Sequence, residues 1–589
     1  MRQLPFASRT ALGLLAACAV TTPLSAQNFD RIAPKPVPTT PAPTAGTPAL
    51  PDATAAQHGG AIVVPSLHGL VFVPGREAVK PNGVSGDGIS AAGLDPLADP
   101  AFRTTAGAYL GKPLSFDGLH AITQAVVAAY AAQGRPLVRA IVPQQNVDSG
   151  TIQIVVMEYR VGTLSVEGNR WFTAQQIEAP FDLHHGDIVE AQQVSDALDE
   201  VNANPFRRVE LVYRPSAEVG YTDLVLETRD RFPFRPYAGY ENSGPKVTGR
   251  DRWIIGFNWG KAFGADQQLS YQFTTSSNFW TGHKNDNGTD RANFVGHSLI
   301  WSTRLAWGDH ITAFGVYERS VPNIGADFGL VGKAGQASIR YDHAFSRIGA
   351  IKQDLQIGFD FKSTNNNLDF GGQRVSHAQT EIDQFLATYT AVRPDAWGST
   401  GLTATLTYSP GGISGANHDA DFQPTLTKAG RLGAKANYLY FRAELDRQTA
   451  LPLNATWSLR LIGQVSNRPL LETEQLSVGG VDLLRGYEPN AINGDQGIVI
   501  ANELRTPDLI GKGDAHLRLV AFLDYASLSN KEPDTGQSTH VRATSAGVGL
   551  RFNRASHLTV KADYGWQLQH LPDQKKLSNL ASISIVAGY

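Results

Sequence analysis

From about Arg231 to Tyr589 the chain alternates apolar and polar residues with a period of two, and this pattern constrains the fold more than any other feature. Successive side chains of a β-strand point to opposite faces, so each such run predicts a strand with one apolar and one polar face. Runs whose alternate members are apolar include Leu269, Tyr271 and Phe273; Leu439, Phe441, Ala443 and Leu445; and Leu558, Val560, Ala562, Tyr564 and Trp566. An apolar face suits lipid and a polar face suits a wet lumen, so residues 231–589 are predicted to form a transmembrane β-barrel.

The length of this region indicates the number of strands. At roughly 22 residues for each strand with its turn, it accommodates about 16 antiparallel strands, an even number as closure requires. A soluble β-sandwich also alternates, but its strands are shorter and its polar face lies outside. The final strand, Leu580 to Tyr589, ends on an aromatic residue, which resembles the signal that the bacterial outer-membrane barrel assembly machinery recognises.

Length and composition exclude several classes of protein. At 589 residues the chain is too long for one ordinary core, so two or more domains are expected. The net charge of −3 provides no basic field for nucleic acid. Beyond the N-terminus, no uncharged apolar run reaches the about 20 residues that a spanning helix needs. Cys18 is the sole cysteine, so neither a disulfide framework nor a cysteine metal site is predicted.

Residues 1–26 have the features of a secretory signal peptide: basic residues, an apolar run and a small-residue cleavage site before Gln27. Residues 15–18 also resemble a lipobox, and processing there would leave a lipidated Cys18. Ordinary cleavage is favoured because the apolar run before Cys18 is short. Either route predicts an exported protein.

Residues 27–65 form a predicted linker. Their proline density opposes helix formation and favours an extended, solvated chain. A disordered tether is the favoured interpretation, and a binding motif is the alternative.

Residues 66–160 and 161–230 carry the same element order twice: strand, helix, helix, strand, strand. In the first copy, helices are predicted near Pro96–Leu110 and over Phe116–Gln133, where apolar residues follow helical spacing until Gly134. The order resembles that of the POTRA domain, a periplasmic module that handles unfolded polypeptides. An open sheet edge can pair with an extended client by strand addition. The alternative is that both modules are spacers.

A loop late in the chain, Gly479 to Asn490, presents one cation, Arg485, followed by Gly486 and Tyr487. Further on, alternation places Leu519, Ala521 and Leu523 on the lipid face of a strand, which directs Phe522 and Asp524 into the lumen. An arginine fork binds a carboxylate bidentately, so a pairing of Arg485 with Asp524 is chemically reasonable. An Arg-Gly step taken alone is more often a solvated turn.

These pieces together resemble the two-partner secretion outer-membrane transporters (TpsB; the ShlB/FhaC/HecB family) of the outer-membrane-protein-85 superfamily. The resemblance covers essentially all of the mature chain beyond the linker. The matching segments are Pro143-Gln144, Gly168-Asn169, Asn202 to Pro205, Gly220 to Leu224, Asn242 to Gly244, the Arg485-Gly486-Tyr487 loop, and Phe522 to Asp524. The resemblance implies that the Arg485 loop folds into the barrel, that its tip engages Asp524, and that Gly486, Tyr487 and Phe522 support this lock.

One feature departs from the family pattern. Family members usually carry an N-terminal helix before the linker that plugs the barrel. Here only Gln27 to Ala33 precede the first proline, too few for a useful helix. The sequence therefore predicts a plug that is missing, shortened or replaced.

The chain shows no recognisable catalytic constellation. His184 and His185 lack a spaced third ligand, so a surface turn is favoured over a metal site. We therefore expect no enzyme activity, no cofactor and no metal.

The resemblance implies a monomeric transporter in the bacterial outer membrane, with α+β POTRA modules in the periplasm and an all-β barrel in the lipid. Its expected partners are a secreted TpsA-type exoprotein, outer-membrane lipid and, during biogenesis, the barrel assembly machinery, without nucleic acid. One alternative is a barrel insertase or assembly factor of the same superfamily, although two modules are few for that role. Another is a passive porin or receptor, which would need no tandem modules.

Overall fold

The computed structural model describes residues 32–38, 60–281, 292–322, 328–370, 373–424, 430–511, 513–533, 538–572 and 574–589. The predicted signal peptide, Cys18 and most of the predicted linker lie outside the described residues. Residues 32–38 belong to the same compact unit as Phe232–Tyr589, and residues 60–231 belong to another. Among the described residues, no helix is long and apolar enough to cross a membrane.

The first module comprises six strands and two α-helices. These are β1 (Ile62–Val64), β2 (Gly69–Val73), β3 (Gly88–Ser90), α1 (Pro100–Gly107), β4 (Leu114–Ser115), α2 (Phe116–Ala132), β5 (Val138–Ile141) and β6 (Thr151–Glu158), with 3-10 turns at Arg76–Ala78 and Asp95–Ala98. The main sheet has the order β3-β2-β6-β5, and β1 pairs with β4 separately. The predicted order of strand, helix, helix, strand, strand is present, with β1, β3 and β4 as additions.

Capping residues set the limits of the two helices. The Asp99 carboxylate accepts a hydrogen bond from the Phe102 amide, so α1 begins at Pro100, later than predicted. Ser115 caps α2 through the Gly118 amide. The apolar stripe of α2 is buried against the sheet together with strand residues, and the members of this core include Leu70, Phe72, Leu119, Ile122, Val126, Tyr130, Ile152 and Ile154.

The second module repeats the arrangement with fewer strands. Its elements are β7 (Arg160–Glu167), α3 (Ala174–Glu178), α4 (Ala191–Val201), β8 (Arg207–Pro215) and β9 (Tyr221–Asp230), and its sheet order is β7-β9-β8. Thr173 and Gln176 form a capping box that starts α3. The Asp230 carboxylate accepts hydrogen bonds from three successive amides, residues 170–172, which fixes the loop after β7.

His184 and His185 lie in a loop of this module. The His185 ring stacks on Tyr221 with centroids 4.8 Å apart, and both histidine side chains are largely exposed. No group of three or more His, Cys, Asp or Glu side chains in the described part of the chain could hold a metal ion.

The remaining chain forms a closed barrel of 16 antiparallel strands, as the alternation predicts. The barrel strands are β10 (Phe234–Glu241), β11 (Arg252–Trp259), β12 (Gln267–Thr275), β13 (Phe294–Arg304), β14 (His310–Ser320), β15 (Phe328–Ile348), β16 (Ile351–Phe370), β17 (Gln373–Asp395), β18 (Gly398–Ser409), β19 (Tyr438–Ala450), β20 (Thr456–Ser466), β23 (Gln496–Arg505), β24 (Ala515–Ser529), β25 (His540–Arg554), β26 (Leu558–Gln567) and β27 (Asn579–Gly588). Strands β10 and β27 pair over Tyr237–Gly588 to Glu241–Ser584 and close the barrel.

The connections differ in length at the two ends of the barrel. At one end tight turns such as residues 349–350 and 396–397 join the strands, and at the other end long loops such as 410–437 and 467–495 do so. Short turns are periplasmic and long loops extracellular in outer-membrane barrels. Helices α5 (Asn278–Thr281) and α6 (Asp419–Phe422), with β21 (Leu476–Val478) and β22 (Ile492–Gly494), lie in long loops.

Side chains alternate between the two faces of the wall. Ile339, Ile357 and Phe385 are about half exposed on the outer surface, whereas the inward-facing Asp360 and Gln384 are buried. Polar residues therefore line the lumen and apolar residues face lipid, as predicted.

Residues 32–38 lie in this lumen, against the inner faces of β10–β14. The sequence favours a solvated tether here because prolines disrupt regular structure, but it does not reveal that the wall supplies partners for the remaining backbone groups. Residues 27–31, on which the prediction about a plug helix largely depends, lie outside the described residues.

Candidate functional site

The loop between β20 and β23 folds back into the barrel, and its tip is built by glycines. Strands β21 and β22 form a short antiparallel ladder at its base. Gly479 and Gly480 have φ angles of 119° and 111°, a region that favours glycine. The Gly480 amide donates to the Tyr487 carbonyl at 3.1 Å, and the side chains of Leu484 and Tyr487 are fully buried.

Arg485 binds Asp524 with three hydrogen bonds. The guanidinium donates through Nε to Asp524 Oδ2 and through Nη2 to Oδ1, both at 2.9 Å. The Arg485 backbone amide also donates to Oδ2, at 3.0 Å. Asp524 is 0% exposed, so the pair is screened far less than a surface ion pair. The bidentate geometry fixes both the position and the orientation of the loop tip.

Phe522 supports the same guanidinium from one side. Arg485 Cζ lies 3.7 Å from the centroid of the Phe522 ring, within the range of a cation–π contact. A Cβ atom on Gly547 would lie 2.2 Å from Phe522 Cζ, so the absence of a side chain there makes room for the ring. The ring and Asp524 share the inward face of β24 because they are two residues apart.

Gly486 and Tyr487 attach the tip to the strands beyond Asp524. The Gly486 carbonyl accepts from Gln567 Nε2 at 3.1 Å. The Tyr487 hydroxyl donates to the Gln569 carbonyl and lies 3.0 Å from that of Thr544. The five residues singled out in the sequence, Arg485, Gly486, Tyr487, Phe522 and Asp524, are thus in one contiguous cluster.

The cluster contains further charged residues that the sequence reasoning missed. Arg485 Nη1 donates to Glu503 Oε2 at 2.6 Å, and Glu503 also accepts from Arg505 and Arg551. Arg551 in turn pairs with Asp563 at 2.7 Å. Three cations (Arg485, Arg505 and Arg551) therefore alternate with three anions (Glu503, Asp524 and Asp563). Glu503 is recognisable only as an acid on the inward face of the strand next to β24.

A second buried ion pair holds the base of the same loop. Arg431, from the 410–437 loop, donates through Nη2 to Asp495 Oδ2 at 2.7 Å. Asp495 is 0% exposed. Lys362 of β16 also pairs with Glu474 at 2.7 Å, with both side chains buried. Neither pair was predicted, because no local pattern joins residues so far apart in the chain.

Two family models match this chain. That of the haemolysin secretion/activation protein ShlB/FhaC/HecB family matches residues 220–552, and that of the ShlB-type POTRA domain matches residues 86–158. The first match spans more than half of the chain and includes both Arg485 and Asp524.

Individual relatives and a solved structure agree with these matches. The outer membrane transporter CdiB of Escherichia coli is 23% identical over 471 residues, which cover 76% of this chain and 73% of that protein. The hemolysin transporter protein ShlB of Serratia marcescens is 22% identical, with 83% of each chain covered. The solved structure of CdiB from Escherichia coli has a TM-score of 0.70 at 18% identity, over 96% of this chain and 97% of that one.

These matches confirm the predicted architecture, a POTRA domain followed by a closed 16-stranded barrel, and the predicted outer-membrane location with a periplasmic POTRA domain. The relatives are named as outer membrane transporters. The chain belongs to the haemolysin secretion/activation protein ShlB/FhaC/HecB family of two-partner-secretion outer-membrane transporters.

Proposed function

We propose that this chain exports a TpsA-type exoprotein: it binds the unfolded client in the periplasm through its POTRA modules and passes it through the barrel to the cell surface. The transporter acts as a monomer, and the barrel assembly machinery inserts it into the outer membrane.

The buried contact between Arg485 and Asp524 is the observation that carries this proposal. This bidentate ion pair holds a long loop inside the lumen of a barrel whose inner wall is polar. Its two hydrogen bonds join the same two side chains, so they form and break together. A passive pore needs no such internal lock. In a transporter, the lock sets the position of a loop that borders the path of the client.

An open sheet edge in the second module supports the capture step. Strand β8 pairs with β9 on one side only. The Val209 amide donates to Asn202 Oδ1 at 2.8 Å, and the Val209 carbonyl accepts from Asn202 Nδ2 at 2.9 Å. Both backbone groups therefore point away from β9. Leu211 and Tyr213 have the same parity and direct their backbone groups to this open edge. An extended client can add a strand there with little regard to its side chains.

The test is secretion of a TpsA-type exoprotein, to be identified among the reading frames next to the gene of this chain. Deleting the gene is expected to trap that partner in the periplasm, and the wild-type chain is expected to restore its export. Asp524→Ala should insert normally yet export less. Arg518→Ala, on the same strand and the same face, is the control, and full export is expected. Normal export by both Arg485→Ala and Asp524→Ala would refute the role of the lock, and surface release without this gene would refute the function.

A further inference from the structure

The inner wall of the barrel binds the backbone of residues 32–38. The Ile32 carbonyl accepts hydrogen bonds from Gln272 Nε2, at 3.2 Å, and from Ser298 Oγ. Gln272 and Ser298 are 2% and 1% exposed. Two buried side chains therefore converge on one carbonyl of a segment more than 200 residues away in the chain.

Lys35 is held by its backbone as well. Its amide donates to the Tyr237 hydroxyl oxygen at 3.0 Å and to Gln272 Oε1 at 3.2 Å. Its carbonyl accepts from Asn258 Nδ2 at 3.1 Å. Prolines at 34, 36 and 38 leave few amides in the segment, and the Lys35 amide is satisfied by the wall. Proline-rich segments are also pre-organised in an extended form, which lowers the entropy lost on binding.

An apolar pocket receives the Ile32 side chain. The pocket is formed by Phe294, Phe314 and Val316, and Ile32 is 4% exposed. Gly296 forms its floor, because a Cβ atom there would lie 2.7 Å from Ile32 Cδ1. The pocket therefore fits one aliphatic side chain of the size of Ile32.

An acidic residue receives the Lys35 side chain. Lys35 Nζ lies 2.6 Å from Glu241 Oε1, and the Glu241 side chain is 12% exposed. Ser584 Oγ donates to the same oxygen at 2.8 Å and holds the carboxylate in place. The wall thus recognises a cation three positions after an aliphatic residue, with backbone contacts at both positions.

We propose that this groove is a polypeptide-binding site of the lumen, which residues 32–38 occupy at rest and which an extended segment of the client occupies during transport. The proposal rests on the proposed function for the identity of the competing ligand. Its hydrogen bonds go to backbone atoms, which every polypeptide has, and only two side chains are selected. A client segment with an aliphatic residue three positions before Lys or Arg fits the groove in the same way.

Tethering decides which ligand occupies the groove. Residues 32–38 are part of the same chain, so their effective concentration at the groove is on the order of millimolar. A free peptide of equal intrinsic affinity therefore competes poorly with them. A client already threaded into the lumen has a comparable local concentration and is able to displace them.

The first experiment measures binding of a labelled synthetic peptide with the sequence of residues 30–38 to the purified full-length protein, by fluorescence anisotropy. The variant Ile32→Ser/Lys35→Glu releases its own segment, since the new carboxylate is repelled by Glu241. This protein, whose groove is free, is called the emptied variant. It should bind the peptide at least about tenfold more tightly than the wild type does. Lys246→Glu, a charge reversal in an exposed loop, is the control and should behave as the wild type.

Selectivity provides the second arm. A peptide with Glu in place of Lys35 should bind the emptied variant about tenfold more weakly, and the additional substitution Glu241→Ala should abolish this preference, because it removes the selecting carboxylate without attracting the protein's own altered segment. Equal binding to the wild type and the emptied variant, or no binding to either, overturns the proposal. This arm needs no client, so its result is independent of the proposed function.

The third arm measures export of the same exoprotein by the variant Gln272→Ala/Ser298→Ala. Folding of this variant is checked by the mobility of the folded barrel in gel electrophoresis. We expect these two substitutions to reduce export and, when they are added to the emptied variant, to weaken peptide binding. Increased ion leakage with unchanged export would mean that the groove serves only the protein's own segment, and would overturn the role in transport. If the wild type exports nothing, the proposed function fails while the peptide results stand.

Discussion

The backbones of Gly486 and Gly565 are in direct contact. A Cβ atom on Gly565 would lie 2.6 Å from the Gly486 amide nitrogen, and a Cβ atom on Gly486 would lie 3.0 Å from the Gly565 carbonyl carbon. No side chain separates the loop tip from the barrel wall at this point. The Arg485 fork therefore reaches Asp524 only because two glycines allow the main chains to approach.

Gly565→Ala is expected to push the tip away from the wall. Overpacking of this kind costs about 1–3 kcal/mol, and the contacting atoms here are backbone, which cannot swing aside. We expect a lower thermal unfolding midpoint, measured by loss of compact electrophoretic mobility, and reduced export. Gly463→Ala is the matched control, because a Cβ atom on this barrel glycine meets nothing within 4 Å. Equal effects of both substitutions would contradict the close approach.

Arg485→Lys is expected to release the loop although it keeps the positive charge. A lysine cannot reproduce the bidentate fork or the stacking on Phe522. Complete loss of a partner from a well-buried pair costs about 3–5 kcal/mol, and because lysine keeps the charge we expect a smaller effect, at least about tenfold more frequent opening.

The measurement is the rate of maleimide labelling of Leu484→Cys, whose parent side chain is 0% exposed. Cys18, the sole natural cysteine, is replaced by serine in this background. Labelling should be rapid with Arg485→Lys and slow with Arg518→Ala, which removes an inward-facing arginine of the same strand as Asp524. Slow labelling of the Arg485→Lys protein would show that charge alone holds the loop.

Much of this fold follows from local pattern. Alternation with period two gives the barrel and the inward direction of Phe522 and Asp524, and helical spacing with a recurring order of strands and helices gives both modules. The pairing of Arg485 with Asp524 came from a resemblance, since an isolated Arg-Gly step in a loop carries no information about its partner.

The sequence does not reveal contacts that depend on how distant segments meet. Glu503 joins Arg485 because β23 lies beside β24 in the closed wall, which alternation alone does not specify. Arg431 and Asp495 lie in different loops. Ile32 and Lys35 stand in a proline-rich stretch that resembles any solvated linker, and their partners are scattered over β10–β14. Such contacts are set by barrel closure and register rather than by local periodicity.

Arg431 and Asp495 join three long loops at one end of the barrel. Besides Arg431, Asp495 accepts from the Leu470 and Lys531 amides, at 2.9 and 2.7 Å, and from Gln475 Nε2 at 3.0 Å. These partners come from the 410–437, 467–495 and 530–539 loops. The carboxylate is therefore a common anchor for all three.

Asp495→Ala is expected to loosen these loops and raise the ion conductance of the barrel in planar bilayers. It leaves Arg431 buried without a carboxylate, which costs about 3–5 kcal/mol. Arg431→Met combined with Asp495→Ala should conduct less than Asp495→Ala alone, because the isolated charge is gone. Asp395→Ala breaks the partly exposed pair with Arg447 and is the control, since ion pairs near the surface contribute little. Unchanged conductance of the Asp495→Ala protein would show that the anchor does not restrict the pore.

Leu211→Pro is expected to impair export while the second module stays folded. The Leu211 amide points to the open edge of β8, so its removal breaks no ladder bond within the sheet, and edge strands tolerate proline. A client that adds a strand at this edge loses a hydrogen bond with the Leu211 amide.

Leu211→Ala keeps the amide and removes most of the side chain, so it separates the contribution of the amide from that of the side chain. Val212→Pro, at the neighbouring position whose amide faces β9, should unfold the module. We expect export to fall with Leu211→Pro and to persist with Leu211→Ala, while protease resistance of the module is lost only with Val212→Pro. Full export by Leu211→Pro would exclude β8 as the edge that captures the client.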